Sequence, residues 1–299
     1  MSIITTAPAV PNRVLALYAS LLASPTGDRK QRFESLATPP SIHGRGASEE
    51  GEGTTTLFSS TIREAKLLGI FEEDEERIKV SEEARSKGTK RDPEARLKSH
   101  LIRVLFDPER AEEAKQRGFM TALAWFLRQN PLVPMEFGAP PQSEIAKDLG
   151  EHAHRTELTN LNTWQNFVYW ARFLGFATMT GSKESKWVVP DPMHAIRDVL
   201  TDVFGEDEEL PIDAMMAGLA RIYPVFEGGD VRREVEDWSS AVPESPSERR
   251  LSVATSLALQ RLHTKGRISL IARADASSAI MPLGTSERRV SHVRLGAAK

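Results

Sequence analysis

At 299 residues the chain exceeds one small helical domain and suits two or three compact units, which commonly run about 100–150 residues each. Hydrophobic residues make up 40% and charged residues 27%, which excludes wholesale disorder; the absence of cysteine excludes disulfides, thiolate nucleophiles and cysteine-ligated metal centres. The net charge of −3 conceals a split, because Ser247 to Lys299 holds ten basic against three acidic residues while the preceding 246 hold 29 against 39. A basic end points to an acidic partner, nucleic acid first, with a solvated basic surface as the plain alternative. Met1 to Val10 lacks a basic start and a long apolar run, and no stretch of roughly 18 apolar residues occurs anywhere. A cytoplasmic location without a membrane partner is therefore expected.

In chain order, Val14, Leu15, Leu17, Tyr18, Leu21 and Leu22 predict a helix over Asn12 to Ala23, entered at Pro11. A short helix follows over Arg29 to Ala37, then a Gly-, Ser- and Glu-rich loop from Ser41 to Gly53. Leu57, Phe58, Ile62, Ala65 and Leu68 mark a helix face stopped by Gly69; Ile70 and Phe71, an acidic turn, then Ile78 and Val80 read as a hairpin. This pattern returns about a hundred residues later. YWARFLGFA, residues 169–177, aligns without a gap on REAKLLGIF, residues 63–71, and a hairpin follows from Phe176 through TGSKES to Trp187–Val189. Helices over Ala95 to Phe106, Phe119 to Gln129 and Ser143 to Leu149 complete the second unit. A third copy has helices near Ile212 to Tyr223, Val231 to Trp238 and Glu248 to His263, a stop at Gly266, and RISLIA paired with AIMPL as its hairpin. The fold class expected is mainly α with small β-hairpins, as tandem winged-helix-like units at 1–90, 91–205 and 206–285 and a basic tail at 286–299.

An enzymatic reading has little support. No phosphate-binding glycine loop, nucleophile elbow or HExxH is present, and His152 and His154, the one close pair of histidines, would point to different sides of a helix. A restriction-type nuclease needs an Asp and a Glu-x-Lys on adjoining strands to hold a divalent metal. The two such triplets, Glu64–Lys66 and Glu113–Lys115, lie in helical patterns and read as solvated charge. No cofactor and no metal are expected, and the chain is read as non-catalytic.

Nucleic-acid binding has more to offer, unequally across the units. A winged helix lays its third helix in the major groove and touches phosphates with its wing. The first wing, EEDEER, has five carboxylates that would repel a phosphate backbone, so the first unit is expected to pack on protein instead. In the second unit Thr159, Asn160, Asn162, Thr163, Gln165 and Asn166 crowd the helix before Gly175, with Arg172 further along it and Lys183 and Lys186 at the wing. Asn and Gln can pair with adenine edges; the competing reading is that they cap and solvate a helix whose Trp164, Phe167, Val168 and Ala171 face the core. In the third unit Arg249, Arg250, Arg261, Lys265, Arg267 and Arg273, continued by Arg288, Arg289 and Arg294, are candidates for a phosphate track. A protein interface is the alternative, and the acidic run Gly205 to Glu209 could shield these arginines intramolecularly.

The order of a helical start, Pro39–Pro40–Ser41, a polar gap, Leu57–Phe58, and a helix with Glu64, Ala65, Leu68 and Gly69 ahead of an acidic hairpin resembles the DpdG family. The resemblance lies mainly in the first hundred residues. It implies an accessory component of bacterial islands that insert 7-deazaguanine bases into DNA and restrict unmodified DNA, an anti-phage function, and it brings no catalytic residues. The expected function is a non-catalytic DNA-binding subunit with DNA and protein partners. The alternatives are a winged-helix transcriptional regulator and an adaptor like the tandem winged-helix subunits of condensin-type complexes.

Overall fold

The computed structural model describes residues 2–6, 9–38, 52–74, 76–85, 92–182, 184–240 and 249–296. The chain is mainly α-helical with small antiparallel sheets and separates into two compact units, residues 1–117 and 118–299. Among the described residues no helix is long and apolar enough to cross a membrane.

The first unit starts with α1 (Pro11–Leu22), whose proline at the first turn gives up an N–H that would have no intrahelical partner, and whose Val14, Tyr18 and Leu21 are buried. β1 (Asp28–Arg29), α2 (Lys30–Ala37) and α3 (Glu52–Leu67) follow, then the hairpin β2 (Phe71–Glu73) and β3 (Arg77–Val80). The sheet order is β1-β3-β2, with Phe71 opposite Val80. α3 ends as its glycine requires: Gly69 takes φ +64° and the Ile70 N–H reaches back to the Ala65 carbonyl at 2.8 Å. α4 (Glu82–Arg85), α5 (Pro93–Leu105) and α6 (Pro108–Glu113) complete the unit. The helix expected over 95–106 thus forms and lies in this unit, where buried His100 approaches the Leu68 carbonyl at 2.8 Å through Nε2. The loop expected at 41–53 and the Pro39–Pro40–Ser41 motif fall largely outside the described residues.

In the second unit α7 (Arg117–Arg128), β4 (Met135–Glu136), α8 (Gln142–Leu149), a 3-10 segment (Gly150–Thr156), α9 (Leu161–Phe173), β5 (Ala177–Gly181) and β6 (Lys186–Pro190) repeat the series, with sheet order β4-β6-β5. α7 is buried from Gly118 to Leu127, and Phe119, Phe126 and Trp164 all pack on Phe167 at centroid distances of 5.4–5.9 Å. The Trp164 indole donates to the Glu136 carbonyl at 3.0 Å, tying β4 to α9.

A third series runs α10 (Met193–Phe204), β7 (Glu209–Pro211), α11 (Ile212–Ile222), α12 (Asp230–Trp238), α13 (Val253–Thr264) and β8 (Ile268–Ile271), and closes with β11 (His292–Leu295) in the order β7-β11-β8. Each of the three sheets therefore places its last strand between the other two. Gly175 and Gly266 repeat the helix stop of Gly69, at φ +87° and +67°, with Phe176 and Arg267 N–H groups bonded to the Ala171 and Leu262 carbonyls.

Two sequence expectations for this third series need correction. Ile268–Ile271 does not pair with the AIMPL strand; β8 pairs with β11, Leu270 opposite Val293, while β9 (Ala279–Pro282) pairs with β10 (Glu287–Val290). The cause is burial: all four residues of β9 are inside, and its backbone exchanges Ile280 N–H to Arg249 carbonyl and Leu251 N–H to Ile280 carbonyl bonds ahead of α13. Residues 286–299, expected as a tail, accordingly contribute β10 and β11.

Candidate nucleic-acid interface

α9 is built to present one polar face. Its start is fixed by a capping box, in which the Asn160 side chain accepts from Thr163 N–H at 3.0 Å and the Thr163 hydroxyl accepts from Asn160 N–H at 3.1 Å. Its inner face, Thr163, Trp164, Asn166, Phe167, Val168, Trp170 and Ala171, is buried. Asn162, Gln165, Tyr169 and Arg172, spaced three, four and three residues apart, share the outer face, where Asn162 and Arg172 are exposed and Gln165 and Tyr169 half-buried. The hairpin stands beside it: Phe137 packs on Tyr169 at 5.7 Å, and the exposed Lys186 ammonium lies 5.9 Å from the Phe137 ring centroid. Two amides, a phenol, a guanidinium and a flanking ammonium thus occupy exposed and half-buried positions over a packed core. Such a face can donate to and accept from base edges, and the ammonium can meet a phosphate.

Within this set the structure gives Asn160 a capping job instead, and Thr163 and Asn166 point inward. Lys183 lies outside the described residues.

The C-terminal basic residues are distributed differently from a continuous track. Arg249 is paired with Asp213, Arg250 with Glu287 at 2.5 Å, and Arg261 with the buried Asp191 at 2.5 Å. Arg273 and Arg294 both close on Glu209, the last residue of the acidic run; Arg294 beside it holds that carboxyl below the usual carboxylate range. Arg288 donates to the Gln260 side chain at 3.1 Å and the Leu270 carbonyl at 2.9 Å, and Arg289 is exposed on β10. Lys265 and Arg267 are exposed at the α13–β8 corner and form no ion pair among the described residues. α13 differs from α9 in what lies against it: the β9–β10 hairpin is clamped to its neighbourhood through Arg250–Glu287 and Arg288–Gln260.

In the first unit two carboxylates of the acidic wing are paired with lysines of the same unit. Glu73 meets both Lys30 and Lys66, which hold its carboxyl below the usual range, and Glu72 meets Lys79 at 3.0 Å. Leu36, Leu57 and Leu67 are exposed at 64%, 37% and 38%, giving the α2 and α3 surfaces an apolar character; on α9 the first residue, Leu161, is exposed at 38%. Leu36 and Leu57 lie near the packed Phe33–Phe58 pair, whose centroids are 5.7 Å apart. Glu64, expected as solvated charge, is fully buried and accepts from the Thr6 hydroxyl at 2.9 Å; both Glu-x-Lys triplets start on helices, α3 and α6, rather than on strands beside an Asp. Among the described residues no group of three or more metal-ligating side chains is gathered.

A family model described as DpdG-like matches residues 1–276 of the chain. No curated protein matches it, and no solved structure does.

Proposed function

Because the chain belongs to the DpdG-like family, we propose that it is a non-catalytic, DNA-binding accessory component of a bacterial DNA modification and restriction system with an anti-phage role, built from tandem winged-helix modules. Membership in the family is consistent with a component of a DNA modification system. The observation that carries the DNA-binding part is the outer face of α9, on which Asn162, Gln165, Tyr169 and Arg172 stand in one row beside Lys186. The order of helix, strand, helix, helix and hairpin in the first two series, and the central last strand shared by all three sheets, support the winged-helix reading; the third series adds a helix and inserts β9 and β10 between its last two strands. The module containing α9 is the DNA reader, and the module containing α13, covered by β9 and β10, is not one through that helix.

The exposed leucines of the first unit support a protein partner there, which suits a subunit of a multi-component system. Recruitment of partners to DNA, without chemistry of its own, is the role that joins these two surfaces.

The test is duplex-DNA binding by the intact chain at several salt concentrations, together with the integrity of the DNA afterwards. Salt-sensitive binding with the DNA left uncut and unaltered is expected. Absence of duplex binding at low salt would overturn the DNA-binding reading, and DNA hydrolysis abolished by one point substitution would overturn the non-catalytic one.

A further inference from the structure

Of the eight candidate basic residues between Arg249 and Arg289, Lys265 and Arg267 are the pair exposed together on one turn with no ion-pair partner among the described residues. The turn that carries them is rigid. Gly266 holds φ +67°, Arg267 N–H bonds to Leu262, and Gly296 N–H bonds to the Arg267 carbonyl at 2.8 Å. Gly296 passes so close over the turn that a Cβ there would lie 2.1 Å from the Gly266 carbonyl oxygen, so β11 fastens the corner from above.

The corner is also placed relative to α9. Arg261, one turn before Lys265, bonds Asp191, whose own N–H bonds the Phe176 carbonyl directly after α9 and whose Oδ2 accepts from Thr178 on β5. The adjoining Gly175 is so tight against α10 that a Cβ would stand 2.8 Å from the Ala195 nitrogen. The end of α13 is therefore fastened to the end of α9, and Lys265 lies about 6 Å beyond Arg261 along the helix axis. Arg172, on the last turn of α9, stands three residues before Gly175 and is likewise exposed and without an ion-pair partner among the described residues.

We propose that a duplex held by α9 continues onto the α13–β8 corner, where Lys265 and Arg267 take backbone phosphates flanking the site read by Asn162, Gln165 and Arg172. This rests on the DNA-binding reading above and extends it from one module to a two-module footprint. Base readout belongs to α9, while the third module adds sequence-independent affinity.

The test compares the intact chain, Lys265→Gln/Arg267→Gln, the charge-conserving Lys265→Arg/Arg267→Lys, and Asn162→Ala/Gln165→Ala/Arg172→Ala on a set of duplexes of different sequence across a salt series. Loss of two phosphate contacts makes the log–log salt slope less steep by about 1.8, at about 0.9 per phosphate, with sequence preference retained and the charge-conserving variant like wild type. An unchanged slope in the glutamine variant, with binding lost in the α9 variant, overturns this inference and leaves the DNA-binding reading standing. Failure of the intact chain to bind duplex overturns both.

Discussion

Asn160 and Asn162 lie two residues apart and have the same side chain, yet the structure assigns them different work, so replacing each by Ala separates folding from recognition. Asn160 supplies the acceptor for Thr163 N–H at 3.0 Å, and its backbone N–H is received by the Thr163 hydroxyl. Asn160→Ala removes the first bond and leaves a helix-start N–H without its acceptor, a loss of about 1 kcal/mol within the range of about 0.5–2 kcal/mol for such caps. For a unit of this size that corresponds to a fall in Tm of roughly 2–4 °C. Asn160→Gly should cost only a few tenths of a kcal/mol, roughly, because Gly also tolerates the cap position. Asn162→Ala touches no hydrogen bond among the described residues and should leave stability within about 0.5 kcal/mol of wild type while weakening duplex binding by about 1–3 kcal/mol. Thermal unfolding and duplex titration of the three variants provide the assay. Unaltered stability with lost binding in Asn160→Ala would refute the capping assignment and move the recognition face one residue row around the helix.

His100 is fully buried, and burial pushes its imidazole below the ordinary value of 6.5. The unfolded chain then binds the extra proton first, so stability is full above about pH 6.5 and declines as pH falls toward the folded value, at a slope of at most about 1.4 kcal/mol per pH unit. Urea unfolding at pH 7.5 and 5.5 should show this decline, and His100→Gln should flatten its share of it; an identical decline in the variant would assign the effect elsewhere. Asp191→Ala removes a carboxylate that serves Thr178, Met193 N–H and Arg261 at once, and should cost at least about 2 kcal/mol, visible in denaturant midpoints. Wild-type stability there would contradict the role given to Asp191 in fastening α13 to α9. Gly175→Ala must adopt φ +87° and meet backbone at 2.8 Å, so a loss of about 1–3 kcal/mol or more is expected by thermal unfolding.

The helix stops and the first two hairpins were legible because their signals are local. Gly69, Gly175 and Gly266 each follow an apolar helix and precede a strand, and all three carry the positive φ that glycine permits. α10 went unread although Met193, Ile196, Val199, Leu200, Val203 and Phe204 keep helical spacing, because it lies before the bound of 206 expected for the third unit. The pairing of β8 with β11 was not legible. RISLIA could meet either following strand by local pattern, and the choice is made by the burial of β9 near α13. The shielding of the basic end by the run Gly205 to Glu209 was open to the sequence as an alternative, and Glu209 does gather Arg273 and Arg294 from 64 and 85 residues away; that Asp191 takes Arg261 from 70 residues away was not legible. Those distant pairings turn much of an apparent phosphate track into internal struts. Glu64 shows the same limit: its helical neighbours suggest a solvated face, whereas the N-terminal Ile3, Ile4 and Thr6 are buried in the same unit, with Thr6 bonded to its carboxylate.

The most direct measurement is duplex-DNA affinity of the intact chain against Asn162→Ala/Gln165→Ala/Arg172→Ala, with thermal unfolding run on both. Loss of binding at unchanged Tm is the predicted result. Undiminished affinity in a variant that folds like wild type would contradict the assignment of DNA recognition to α9.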